Sequence, residues 1–450
     1  MTGTNPHHRH LVGIALAGSI GLIVAAPPQA RAADPVDLGS VQATGGGGTD
    51  AVDSAPFQAP TKTPLDVTQP ISVIDQHYIE NNVPLSGNYD NVVKIAPSVY
   101  AVSPNGPGLM ENQILSIRGF QDGQFNVTFD GIPWGDSNDF THHSTSYFMA
   151  HDLGAVAVDR GPGTAATIGY ATFGGTIAVL SKDPSATATL TPYTMQGSFN
   201  TQLYGGEYDT GSLVKYGGTT AFIDGEGLTS DGYLTNAGQS RQNVFLKVQQ
   251  PLGANTVLTG VATYNNLHQN VSLGATKAQI DAFGPNFGLS SNSGSQSFFG
   301  FNQDQIHTDF EYVALKSNLG YGWTIDSKAY TYAYFHRGLN GEDPNGETPN
   351  GTVVNGVTLA NDVPGQLLQN DYRSIGDISR IQKTLWFGDI QTGIWYDHQI
   401  NTRSLFEVDM SQNLAPNTGF GNPVDRELHQ SLDTLQPYLQ VDLKPAWVPG

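Results

Sequence analysis

From Thr189 onward, apolar and polar residues alternate with a period of two, and this pattern narrows the possible folds more than any other feature of the chain. It is clearest from Leu435 to Lys444. Leu435, Pro437, Leu439, Val441 and Leu443 fall on one face, while Gln436, Tyr438, Gln440, Asp442 and Lys444 fall on the other. Val244, Leu246 and Val248 repeat the arrangement against Phe245, Lys247 and Gln249. Successive side chains of a strand point to opposite sides, so each such segment has one apolar and one polar face. A soluble sandwich alternates too. The connections separate the two cases. Strands are expected near residues 193–203, 210–218, 221–229, 241–250, 255–265, 308–319, 323–336, 371–384, 388–400 and 430–443. Pro251 to Asn255, Gly320 to Gly322 and Leu385 to Phe387 are tight connections. Asn266 to His307, Arg337 to Asn370 and Asn401 to His429 are long ones. Tight turns at one end and long loops at the other mark a transmembrane β-barrel with an apolar exterior. Trp323, Trp386 and Trp447 lie beside tight turns, as an aromatic girdle requires.

Composition removes several alternatives. Charged residues are 13% of the 450, against 53 glycines, which does not suit a helical cytosolic enzyme. The formal net charge is −20, from 40 acidic and 20 basic residues, so the basic footprint of a nucleic-acid binder is absent. Without cysteine there is no disulfide framework, thiol nucleophile or cysteine metal site. No catalytic triad or carboxylate pair stands out. Neither an enzymatic activity nor a cofactor is expected.

The N-terminus reads as an address followed by a tether. Arg9 lies among His7, His8 and His10, Leu11 to Val24 is apolar, and Ala30-Arg31-Ala32 offers small residues for cleavage. This is the layout of a signal peptide over residues 1–32. Residues 33–60 contain four consecutive glycines, Gly45 to Gly48, and a Pro/Thr/Ala-rich run, so they read as a flexible linker.

Residues 61–185 read as a small mixed α/β domain. Ile71 to Ile74 is a β-branched strand, Asp75 can cap a helix to Asn81, and Tyr89 to Ala96 favours a second helix. Ile114 to Ile117, Asn126 to Phe129, Ala155 to Asp159 and Phe173 to Leu180 are strand candidates, with Asp130-Gly131 a turn signal. Glycines 161, 163, 169, 174 and 175 mimic a phosphate loop. However, neither G-x-G-x-x-G before a helix nor a following GK[ST] is present. Tight turns and close strand packing explain these glycines better. Residues 136–152 are polar, aromatic and histidine-bearing, but His142, His143 and His151 lack metal-ligand spacing, so no metal site is expected.

Within this domain, Arg118-Gly119-Phe120 is followed by Asp130-Gly131-Ile132-Pro133 and then by the block from Val158 to Pro184 with Arg160-Gly161-Pro162, Gly169-Tyr170 and Gly174-Gly175. The order and spacing resemble the plug domain of TonB-dependent outer-membrane receptors. That resemblance covers about a quarter of the chain. It implies a mixed α/β plug followed by an antiparallel transmembrane β-barrel over residues 186–450, with about 22 strands in the family against about ten here. The chain is therefore expected to be the N-terminal portion of a longer protein.

The resemblance also implies roles. Asp37, Leu38, Ser40, Val41 and Ala43 fall where the family carries its TonB box, a segment that adds as a strand to a periplasmic energising protein. Arg118 and Arg160 correspond to arginines that latch the plug to barrel carboxylates, an internal plug pairing being the alternative. The raised apical loop places Gln121, Trp134, Asn138, Phe140, His142, His143 and Tyr147 as ligand contacts, though Trp134, Phe140 and Tyr147 can equally pack against the wall. The implied activity is energised uptake of a ferric siderophore across the outer membrane of a Gram-negative bacterium, in contact with outer-membrane lipid. Haem, cobalamin, carbohydrate or another metal chelate is the alternative cargo, and a passive pore or adhesin the alternative class.

Overall fold

The computed structural model describes residues 69–110, 114–143, 147–272, 274–342, 353–354, 357–358, 363–418 and 422–443. The signal peptide, the linker, the TonB-box-like segment (Asp37, Leu38, Ser40, Val41, Ala43) and Trp447 lie outside the described residues.

The inner domain contains strands β1 (Ile71–Asp75), β2 (Val99–Val102), β3 (Ile114–Ile117), β4 (Phe120–Gln121), β5 (Asn126–Phe129), β6 (Ile132–Pro133), β7 (Leu153–Asp159) and β8 (Thr176–Ser181), with helices α1 (Gln76–Asn82) and α2 (Tyr89–Val93). Asp75 caps α1, its side chain accepting from the Tyr78 N–H at 2.9 Å. Five strands form a mixed sheet in the order β1-β7-β8-β5-β6, and β2-β3-β4 form a second. β5 and β6 are joined by Asp130 (φ 48) and Gly131 (φ 80), two left-handed residues that give the primed hairpin turn the Asp-Gly pair favours. Gly174 is required for space: a Cβ there would sit 2.3 Å from the Gln124 carbonyl oxygen. The last inner strand begins at Thr176, past Gly174-Gly175 rather than at Phe173, because Gly175 (φ 120) turns the chain into the sheet.

The wall is one antiparallel sheet. Its strands are β9 (Ala188–Gly197), β10 (Thr201–Thr210), β11 (Thr220–Ser230), β12 (Gln239–Pro251), β13 (Thr256–Asn270), β14 (Gln303–Gly320) and β15 (Trp323–Gly341), then, after the two-residue pair β16 (Val353–Val354) and β17 (Val357–Thr358), β18 (Pro364–Leu385), β19 (Gly388–Asp409), the short β20 (Ala415–Pro416) and β21 (Val424–Leu443). The long strands pair in chain order, and β21 pairs with β19. Among the described residues β9 is one edge, β20 and β21 flank β19 at the other, and β9 does not pair with β21. Helix α3 (Lys277–Phe283) lies in the loop between β13 and β14.

Two expected strands are shifted. The stretch 193–203 straddles the turn between β9 and β10, where Phe199 (φ 59) and Asn200 (φ 53) reverse the chain. The stretch 210–218 is the end of β10 and a 3-10 turn at Val214–Tyr216. Elsewhere the strands run longer than the hydropathy pattern, to 22 residues in β18 and β19.

The expected faces hold. Leu435, Leu439, Val441 and Leu443 are exposed on the outside, with Ile223, Val244 and Val313. Phe222, Phe245, Phe310 and Tyr332 point inward and are buried against the inner domain. An outward apolar surface of this extent matches the outer face expected of a transmembrane barrel. Trp386 and Tyr321 are almost fully exposed at the short-turn end. No helix among the described residues is long and apolar enough to cross a membrane.

One core unites both parts. Phe129 of β5 stacks on Phe148 at 3.8 Å and meets the edges of Phe310 at 5.3 Å and Phe245 at 6.5 Å on the wall. Each such aromatic pair adds about 0.5–1.5 kcal/mol beyond the area it buries.

Candidate functional site

The chain after β6 forms an apex that faces the long-loop end of the wall. Asp136 organises it. Its backbone N–H donates to the Thr141 carbonyl at 2.8 Å, its carbonyl accepts from the Phe140 N–H at 2.7 Å, and its carboxylate accepts from the Asn138 N–H at 2.8 Å. Phe140 (φ 63) and His143 (φ 49) take left-handed conformations to close the loop.

The wall grips this loop through the inward positions of β19. Gln399 accepts from the Ser137 N–H at 2.6 Å and donates to the Gly135 carbonyl at 2.8 Å. Asn401 donates to Asp136 Oδ1 at 2.6 Å. Arg403 donates to Asp136 and, at 2.8 Å, to Asp139 Oδ2, while its Nε donates to Asn370 at 3.1 Å. Burial opposes ionisation of Asp136, but the hydrogen bond and charge of His143, the Arg403 charge and the Asn138 N–H outweigh it, and its pKa is lowered. Asp136, Asp139 and His143 lie close enough together to hold a metal ion. Arg403 already supplies the positive charge there, so the group is better read as an ion-pair clamp.

Beside the clamp opens a cavity of about 350 Å³, with His143, Tyr334, His336, Asn370, Arg403 and Arg426 in its lining. His336 is held by Asp304 at 2.7 Å. Arg426, exposed on β21, makes no ion pair among the described residues. Cationic and aromatic groups in a lining shared with Val271, Ile306 and Leu368 suit an anionic ligand with ring character.

The expected ligand contacts separate into two groups. His143 lines this cavity. Phe140 is exposed and stacks on Tyr170 at 5.6 Å, Asn138 accepts from Gln430 at 2.9 Å, and Gln121 is exposed on β4. Trp134, His142 and Tyr147 are buried instead. Trp134 packs on Tyr147 with ring centres 4.6 Å apart, and the Tyr147 hydroxyl donates to the Ala333 carbonyl at 2.7 Å, which is the wall-packing alternative. His142 is bonded to Asp122 through its ring and its backbone N–H. Burial works against the Asp122 carboxylate, yet the charge and hydrogen bonds of His142 and the Gly123 N–H more than offset it, so its pKa is lowered.

Arg118 and Arg160 bond inside the inner domain. Arg118 donates to the Arg160 carbonyl, and Arg160 donates to the Ser72 hydroxyl at 2.8 Å and the Pro97 carbonyl at 3.5 Å. Neither forms an ion pair among the described residues, because their guanidinium groups bond neighbouring parts of the inner domain, the Arg160 carbonyl and Ser72 of β1, rather than the described wall strands. The latches seen are others: Tyr312 donates to Asp130 at 2.8 Å, Lys247 to Asp183 at 2.7 Å, and Tyr170 to Asp397 at 2.7 Å.

Residues 63–176 match the family model described as TonB-dependent Receptor Plug Domain. The inner domain is a TonB-dependent receptor plug. The whole described architecture agrees, since plug and wall together follow solved structures of low identity. The ferric citrate transporter FecA in its unliganded form aligns at TM-score 0.66 and 14% identity, over 84% of this chain and 54% of that one. The pyoverdine receptor FpvA from Pseudomonas aeruginosa PAO1, bound to pyoverdine, aligns at 0.61 and 15%, over 84% and 55%. The copper transporter OprC aligns at 0.57 and 13%, over 81% and 52%. The chain thus spans about half the length of the structures it matches. No curated protein sequence matches it.

Proposed function

We propose that this plug and wall belong to an outer-membrane receptor that captures a ferric siderophore and imports it with energy from a TonB-type periplasmic protein. The observation that carries this reading is the apex clamp. A plug fixed through Asp136 to β19 presents His143 to a cavity also lined by Tyr334, His336 and Arg426. Ferric chelates are bulky and often anionic, and guanidinium, imidazole and phenol groups match them. The segment Asp37 to Ala43 then serves as the strand added to the energising partner. Nothing in the reading calls for bond chemistry.

The histidines support a second reading, a chelate whose metal itself takes imidazole, such as copper, because His143 and His336 share the cavity. Intrinsic-fluorescence titration of the purified receptor with ferric, copper and metal-free chelators distinguishes the two. Import is tested separately. Deleting Asp37 to Ala43 should abolish uptake of the labelled ferric chelate in iron-limited cells while leaving binding intact. Unimpaired uptake would overturn the energised mechanism.

A further inference from the structure

A second polar cluster lies away from the vestibule, in the seam between the plug and β9 to β12. The plug supplies His151 and Asp152 from the 3-10 turn Ala150–Asp152. The wall supplies Asp224 and Glu226 from β11, Tyr193 from β9 and Arg241 from β12. His151 Nε2 lies 3.1 Å from Asp224 Oδ2 and 3.7 Å from Glu226 Oε2. The Tyr193 hydroxyl is 3.0 Å from His151 Nε2 and 2.8 Å from Asp224 Oδ1. One ligand atom each from His151, Asp152 and Asp224 falls within 4.8 Å of the other two.

The polar inventory of this seam does not close. Asp152 is 1% exposed and Asp224 is fully buried. Yet Asp152 Oδ1, Glu226 Oε2 and His151 Nδ1 have no hydrogen-bond partner. Buried carboxylate oxygens without a donor are costly and rare. The nearby cations are engaged. Arg241 pairs with Glu226 at 2.8 Å, and Lys182 pairs with Glu207 at 2.7 Å and faces Glu80 at 3.8 Å. Once those pairs are set aside, His151, Asp152 and Asp224 remain as three converging nitrogen and oxygen donors. That donor set suits a divalent ion that accepts nitrogen and oxygen ligands.

We propose that His151, Asp152 and Asp224 bind a divalent transition-metal ion that staples the plug to β11, with the Tyr193 hydroxyl and Glu226 Oε2 beside it. Two ligands come from the plug and one from the wall, so the ion joins plug to wall. A cavity of about 210 Å³ touching His151 and Tyr193 gives access, with the Lys182–Glu207 pair and Glu80 in its lining. The site is separate from the vestibule and independent of the cargo.

The test uses the full receptor purified in detergent, stripped with a chelator and dialysed against Zn²⁺ or Mn²⁺. Mass spectrometry should find one ion held per chain. Asp152→Asn should lose it while the receptor still folds by its circular dichroism. Asp139→Asn, which removes the competing carboxylate group at the apex, should keep it. Crystals of the unaltered receptor soaked in Zn²⁺ should show an anomalous peak between the three side chains, a readout that needs no variant. Absence of that peak overturns the proposal, as does retention of the ion by Asp152→Asn or its loss from Asp139→Asn.

Discussion

Arg403 on β19 and Asp139 on the plug apex are joined at 2.8 Å, although 264 residues separate them. With Asp136 as the buried second acceptor, this contact sets where the apex sits in the wall. Arg403→Leu should cost about 3–5 kcal/mol, because a carboxylate is then left buried without its cation. Urea titration of the folded receptor measures it. Adding Asp136→Asn to that variant should recover part of the loss, a coupling read by a double-mutant cycle.

Acid should loosen the loop held by Asp122. Its folded pKa is lowered, so its contribution is fully present above the ordinary carboxylate value and is lost as pH falls through the lowered one. Amide exchange at 136–143 should therefore accelerate below about pH 4. Asp122→Asn should speed exchange at neutral pH and flatten this acid response.

Phe129 is the centre of the aromatic contact between plug and wall. Phe129→Ala should cost about 3–5 kcal/mol. The loss concentrates on plug docking, so protease should cut the plug of the variant at concentrations that spare the unaltered protein.

On the outside, Val313 is more than half exposed in β14. Val313→Arg should weaken folding into lipid vesicles by up to about 2–4 kcal/mol, the penalty for a cation facing the bilayer midplane. A soluble-sheet surface would tolerate it, so an unchanged urea midpoint in vesicles would contradict a lipid-facing β14.

Most of this architecture is legible in the sequence where one residue in two is apolar. Val244 to Gln249 shows β12 because its two faces meet different surroundings, Val244 exposed outside and Phe245 against Phe129 inside. Legibility fails where both faces are polar. β18 and β19 continue to Pro364 and Asp409, beyond the apolar belt, so hydropathy stops while the hydrogen-bond ladder does not. Near β10, Gly205-Gly206 disguises a strand: a Cβ on Gly205 would lie 2.4 Å from the Tyr193 ring, so the glycine makes room and breaks nothing. Phe199 does the reverse, a strand-favouring residue placed in a turn.

The site was less legible. His143 can be chosen from its loop, but its wall partners depend on pairings over hundreds of residues. The available signal was parity: Gln399, Asn401 and Arg403 occupy alternate positions of β19, a polar run on the face that a barrel turns inward. Trp134 and Tyr147 carried two readings, ligand contact and wall packing, because large amphipathic rings serve a core as readily as a ligand, and both are buried.

The place of β1 in the plug has a mechanical consequence. It is an edge strand whose one strand partner among the described residues is β7, through a five-residue ladder from Ile71 opposite Asp159 to Asp75 opposite Ala155. A pull applied ahead of Ile71 meets the bonds of Gln69 to Gly163 and of Arg160 to Pro70 and then that ladder, while the hydrogen bonds of β5, β7 and β8 to one another stay out of the load path. Tension can thus peel one ribbon from the plug and leave the apex, clamped by Arg403 and Asn401, where it stands. The plug is thus graded along its length, from a single strand pairing at β1 to a buried ion pair at the apex.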